Sequence, residues 1–117
     1  MTSTIRVDNF GPSAGGTTYS ARGIAKAWVN FNGTGTIAAR DSENVSSLTD
    51  NGTGNYNVNF TNAFAATNYA PFKADGERGV GEISLTSTGS LAMLVRNTSF
   101  SEADASTVTH LAHGDLA

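Results

Sequence analysis

Between residues 25 and 64, short apolar runs alternate with Asn-Gly, Gly-Thr-Gly and Asp-Asn-Gly, and this punctuation constrains the fold more than any other feature of the chain. Asn and Gly tolerate the positive φ that tight hairpin turns demand. The cleanest run is Asn55-Tyr56-Asn57-Val58-Asn59-Phe60-Thr61. On a strand, Tyr56, Val58 and Phe60 share one face and the asparagines share the other. That alternation predicts a half-buried antiparallel strand with one wet face. No window long enough to matter carries a helical period.

The same reading extends along the chain. Residues 25–31 form a strand with Ala27, Val29 and Phe31 on one side, and Trp28 on the other with Lys26 and Asn30. Asn32-Gly33 turns it into a second strand at 36–40, and a third follows at 45–49. Pro71 places residues 68–73 at a sheet edge or a strand end. Residues 75–79 read as a polar loop. Residues 80–87, with Ile83 and Leu85 inward, pair with residues 90–97, with Leu91, Met93 and Val95 inward. Residues 107–113 make a last strand. Seven to eight short strands with regular turn signals predict an all-β fold, an antiparallel β-sandwich of jelly-roll-like type, over residues 24–117.

Residues 1–23 differ. Residues 4–8 read as one short strand, and Gly11-Pro12-Ser13-Ala14-Gly15-Gly16-Thr17-Thr18 as a turn-rich stretch that buries little. Two readings stand: an extended N-terminal arm that anchors through Ile5, Val7 and Phe10, or an ordinary frayed terminus.

Composition narrows the function. The 117 residues are 38% apolar and 15% charged, with a formal charge of −3. So short and polar a β-domain is expected to complete its burial against copies of itself. The seven Lys and Arg residues are dispersed. Nucleic-acid binding, which needs clustered cations, is therefore not expected. No apolar run is long enough to cross a bilayer, and no apolar segment of a signal peptide follows Met1-Thr2-Ser3-Thr4. The expectation is synthesis in a cytoplasm without membrane insertion. There is no cysteine, hence no disulfide and no thiolate chemistry.

Three stretches carry a family resemblance: Ala25-Lys26-Ala27-Trp28-Val29-Asn30-Phe31-Asn32-Gly33-Thr34-Gly35-Thr36-Ile37, Asn44-Val45-Ser46-Ser47-Leu48-Thr49-Asp50-Asn51-Gly52-Thr53-Gly54, and Tyr56-Asn57-Val58-Asn59-Phe60-Thr61. The lead-in Ser3-Thr4-Ile5-Arg6-Val7-Asp8 adds to them. With these motifs the chain resembles a domain of tail-fibre and other virion proteins of tailed bacteriophages, especially marine and cyanobacterial ones. The likeness is strong over residues 23–64. Beyond them it rests on the strand pattern and the Gly114-Asp115 ending. It implies a β-rich trimer on the outside of the virion, and it does not imply an enzymatic activity. Fibres of this family usually carry the domain at the end of a long chain, whereas here a short arm precedes it. A knob, a small fibre subunit or a capsid decoration protein fits that length.

Chemistry-bearing residues are sparse. His110 and His113 fall on opposite strand faces, so one chain cannot chelate a metal with both; surface or interface positions are expected. The carboxylate pairs Asp75 with Glu77 and Glu102 with Asp104 lie in polar loops and lack the apolar context of acid–base pairs. Asp50-Asn51-Gly52 and Asp41-Ser42-Glu43-Asn44 read as turns rather than calcium loops. No catalytic, cofactor-binding or metal-binding residue is assigned, and no cofactor is expected. Aromatic faces stack on sugars, which brings in Trp28, Tyr19, Tyr69 and Phe72. The expected contact surface is Tyr69, Phe72, Asp75 and Arg78. Trp28, Phe31, Tyr56, Val58 and Phe60 are expected in the core or a subunit interface. The functional expectation is a trimeric virion knob for host attachment. The alternatives are a capsid decoration protein and a soluble trimeric lectin-like module. Expected partners are the chain itself, other capsid or tail proteins, and host polysaccharide or protein.

Overall fold

Residues 27–32, 55–60, 90–96 and 108–113 alternate in and out of the core, and the strands there follow from that. The computed structural model describes residues 2–76, 80–84 and 87–117. Among these residues ten strands run in chain order: β1 (Asn9–Phe10), β2 (Tyr19–Ser20), β3 (Ala27–Asn32), β4 (Ala38–Glu43), β5 (Val45–Gly52), β6 (Asn55–Phe60), β7 (Ala70–Asp75), β8 (Val80–Ser84), β9 (Ser90–Arg96) and β10 (Val108–His113). One turn of 3-10 helix, Ala21–Gly23, links the arm to the body.

Two four-stranded sheets make the body, ordered β4-β3-β10-β7 and β5-β6-β9-β8. Every pairing is antiparallel. The expected all-β sandwich is present. Hairpins β3–β4, β5–β6 and β8–β9 each stay within one sheet, whereas a jelly roll mostly passes consecutive strands from sheet to sheet; the strand order does not carry that likeness.

The core lies between the sheets. Ala27, Val29 and Phe31 of β3 and Val108 and Ala112 of β10 meet Tyr56, Val58 and Phe60 of β6 and Leu91, Met93 and Val95 of β9. The strict alternation on β3, β6, β9 and β10 puts every second side chain there. Phe60 packs edge-on against Phe64 at 5.1 Å and Tyr69 at 5.9 Å, and Phe64 stacks on Tyr69 at 4.3 Å. One chain buries these residues by itself, while Ile37, Val45, Leu48 and Ile83 at its margin stay partly covered.

Turn chemistry agrees with the sequence. Gly52 at the end of β5 and Gly54 in the turn before β6 take φ of 122° and 64°, open to glycine at little cost. Asn44, between β4 and β5, takes φ 55°, and its side chain bonds Asn62. Bulges mark both of these edge strands. Arg40 is the extra residue on β4 and Ser46 an extra residue on β5. The Ser46 bulge lets Val45 and Leu48, three apart, both face the core opposite Phe60 and Val58.

The arm is a small hairpin, β1 with β2, held at its base by the Ala21 N–H donating to the Asp8 carbonyl at 2.8 Å. The expected strand at residues 4–8 is instead at Asn9–Phe10. A chain this long packs to a radius of gyration of about 13 Å when compact. Here it is 16.2 Å, with a long axis of 51 Å, because the arm projects.

Candidate interaction surface

The outer face of the β4-β3-β10-β7 sheet carries an apolar row. Pairing register aligns Trp28 of β3 with Leu111 of β10 and Leu111 with Phe72 of β7. Phe72 is 59% exposed, and Trp28 and Leu111 are half-buried. Ala70 and Ala74, exposed on β7, flank the row and keep it flat. Toward the opposite edge the face turns polar, with Glu43 beside Trp28 and Asp41 beside Asn30. There Arg40 donates to Asn30 Oδ1 at 3.0 Å and to the Ser106 carbonyl at 2.5 Å. Three strands span about 10 Å. The row is thus a strip suited to a flat apolar surface.

The expected contact residues separate. Phe72 faces solvent. Tyr69 does not: it is 4% exposed, stacked on Phe64, and its hydroxyl donates toward the Ser87 and Ser90 carbonyls at 3.1 and 3.3 Å. Asp75 is not a surface contact either. Its side chain is 1% exposed and pairs with Lys73 at 2.8 Å. Both turn inward because β7 places residues 71, 73 and 75 on its inner side. Arg78 and Glu77 lie outside the described residues, as does Leu85. Phe31, Tyr56, Val58 and Phe60 are core. Trp28 stands on the outer face rather than in the core, on the side opposite Ala27 and Val29.

The arm residues Ile5, Val7 and Phe10 are 87%, 54% and 47% exposed, and Tyr19 packs beside Phe10 with ring centres 6.1 Å apart. Where the arm leaves the body, an open cleft of about 590 Å³ lies among Val7, Asp8, Lys26, Asp115 and Leu116. Lys26 Nζ is already bonded there to the Ala21 carbonyl at 2.9 Å.

His110 corrects an expectation. It is fully buried on the inner face of β10, 6.2 Å from the Phe60 ring, and neither ring nitrogen has a hydrogen-bond partner among the described residues. Burial lowers its pKa to about 4, so the ring is neutral at pH 7. His113 faces outward, with Nδ1 3.0 Å from the Gly23 carbonyl oxygen. Among the described residues no three His, Asp or Glu side chains gather in a metal-ligand cluster. Asp50 and Asp41 each accept a backbone N–H one or two residues on, as turn residues do.

Asp104 is the polar residue the sequence undervalued. It accepts the Tyr56 hydroxyl at 2.8 Å and the Gly54 N–H at 2.7 Å. Burial, followed by the hydrogen bond to Asp104, pushes the Tyr56 pKa well above its ordinary value. This arrangement binds loops together and presents no nucleophile to solvent. Nothing in the local pattern around Asp104 signals its role, since its partners lie 48 and 50 residues away. The Trp28–Leu111–Phe72 alignment was foreseeable only with the strand order in hand.

Comparison of the chain with protein-family models, with curated proteins and with solved structures returns no match. Among the described residues no helix is long and apolar enough to cross a membrane.

Proposed function

We propose that the chain is a structural protein of a phage virion: a β-sandwich knob of a fibre or tail that self-assembles and contacts the host. The projecting arm is the observation that carries this reading. Ile5, Val7, Phe10 and Tyr19 stand in solvent on it, although the body has closed its own core. Large apolar groups held away from a finished core favour an interaction surface. Threefold repetition of such a unit would multiply a weak host contact into firm attachment. The motifs over residues 23–64 supply the virion context.

A capsid decoration protein is the second reading. The breadth of the Trp28–Leu111–Phe72 strip favours it, because a flat strip beds against protein better than it grips a single sugar.

The neighbouring genes test the first step. Capsid and tail genes on either side are expected; metabolic genes would contradict both readings and favour a soluble lectin. Cryo-electron microscopy of the particle then separates the sites. Density on a fibre or tail supports the knob, and density on the head overturns it in favour of decoration.

A further inference from the structure

We infer that the N-terminal segment of a second copy, residues 4–8, docks in the seam between β4 and β5. Each is an edge strand of its own sheet, and neither has a further strand partner among the described residues. Each carries a bulge, at Arg40 and at Ser46. The seam holds a cleft of about 240 Å³ lined by Ile37, Ala39, Ser42, Val45, Ser46 and Leu48. Ile37, Val45 and Leu48 pack on the core yet remain only partly covered. The volume falls below the ~300–1,000 Å³ of small-molecule sites. It suits one or two apolar side chains of an extended peptide, a common way for sheet edges to recognise a partner.

The arm supplies the matching pattern. Ile5 and Val7 are two residues apart and fall on one face of an extended chain, both largely exposed. With these two in the seam, Arg6 points to the outer side of β4. There Asp41 and Glu43 stand without an ion-pair partner among the described residues. Residues 2–8 extended cover about 23 Å, close to the roughly 20 Å of six-residue β4. Within one chain every residue from 2 to 8 is exposed, so its own body does not cover the segment. Each copy thus offers one arm and presents one seam. That is a head-to-tail contact, which a ring of copies closes. This inference rests on the self-assembling reading above.

The absence of cysteine makes a clean test possible on the full chain. Single-cysteine variants Val7→Cys and Ser46→Cys are mixed under mild oxidation and run on a non-reducing gel. The mixture is expected to give a mixed disulfide dimer several-fold in excess of either homodimer. A mixed product no more than about twice as abundant as either homodimer, the ratio that random pairing gives, with both variants showing a β-sheet circular dichroism spectrum, would overturn the inference. A second arm uses charge. Arg6→Glu is expected to weaken self-association about tenfold, and Glu43→Arg in that background to restore it. Association that ignores both changes overturns the docking while leaving self-assembly intact. A wild-type chain that stays monomeric at every concentration overturns both.

Discussion

The Tyr56 hydroxyl lies 2.8 Å from the Asp104 carboxylate and 2.6 Å from the Gly33 carbonyl oxygen, so one proton is shared between two acceptors. The same carboxylate oxygen accepts the Gly54 N–H at 2.7 Å, and the Gly54 carbonyl accepts the Val95 N–H at 2.7 Å. The loops after β3, before β6 and before β10 therefore meet at one buried point. This knot closes one end of the sandwich.

Removing the hydroxyl should loosen that end. Tyr56→Phe is expected to cost about 1–2 kcal/mol, and Asp104→Ala about 2–3 kcal/mol because it also orphans the Gly54 N–H. Chemical denaturation of both variants and of the double mutant checks this. A double mutant that loses less than the sum of the singles is the expected sign of coupling.

Alkaline pH should act on the same residue. The Tyr56 pKa is raised in the folded chain, so above the ordinary value of 10.0 the unfolded chain sheds a proton that the folded chain keeps. Stability is expected to be unaffected by this group below pH 10 and to fall as pH rises beyond it. Tyr56→Phe should flatten that fall in a pH series of unfolding midpoints.

His110 sets the acid limb. Its pKa drops from 6.5 in the unfolded chain to about 4 in the core. Between those values the unfolded chain binds a proton that the folded chain does not, so stability is full above pH 6.5 and declines as pH falls toward 4. The loss amounts to about 3 kcal/mol. Lys73 is its register neighbour on β7. His110→Leu should remove that slope and leave stability at pH 7 unchanged or higher, because two unpartnered nitrogens leave the core. Thermal melts across this range check both points.

Much of the architecture was legible because period-2 patterns survive burial on both sides. Tyr56, Val58 and Phe60 read as inward and are inward. What stayed hidden were positions where polarity pointed the wrong way. His110 falls in phase with Val108 and Ala112, and the pattern alone put it inside; its chemistry argued for the surface. On β7, Lys73 and Asp75 turn inward together because each neutralises the other, which sends Phe72 out. The bulges at Arg40 and Ser46 break the period by one residue, and no local signal marks them. Asp104 was hidden because its role depends on loops that meet only after the sheets pack.

The Lys73–Asp75 pair should show the asymmetry of buried charges. Asp75→Ala leaves the Lys73 ammonium, whose side chain is 7% exposed, without this carboxylate and is expected to cost about 3–5 kcal/mol. Replacing both, as Lys73→Met with Asp75→Leu, is expected to cost less than the single change. Urea unfolding of the two variants decides it.

Phe72 should behave in the opposite way. Phe72→Ser on the exposed strip is expected to shift stability by less than about 0.5 kcal/mol. On the decoration reading proposed above, the same variant is expected to attach less well in a particle-binding assay, which separates an interaction residue from a packing one.

Hydrogen exchange of the full-length chain, followed at low and at high protein concentration, tests the central claim most directly. The account predicts that β3, β6, β9 and β10 are equally protected at both, while residues 4–8 and the β4–β5 edge gain protection only at high concentration. Core strands that lose protection on dilution would contradict it, as would an arm protected to the same degree at both concentrations.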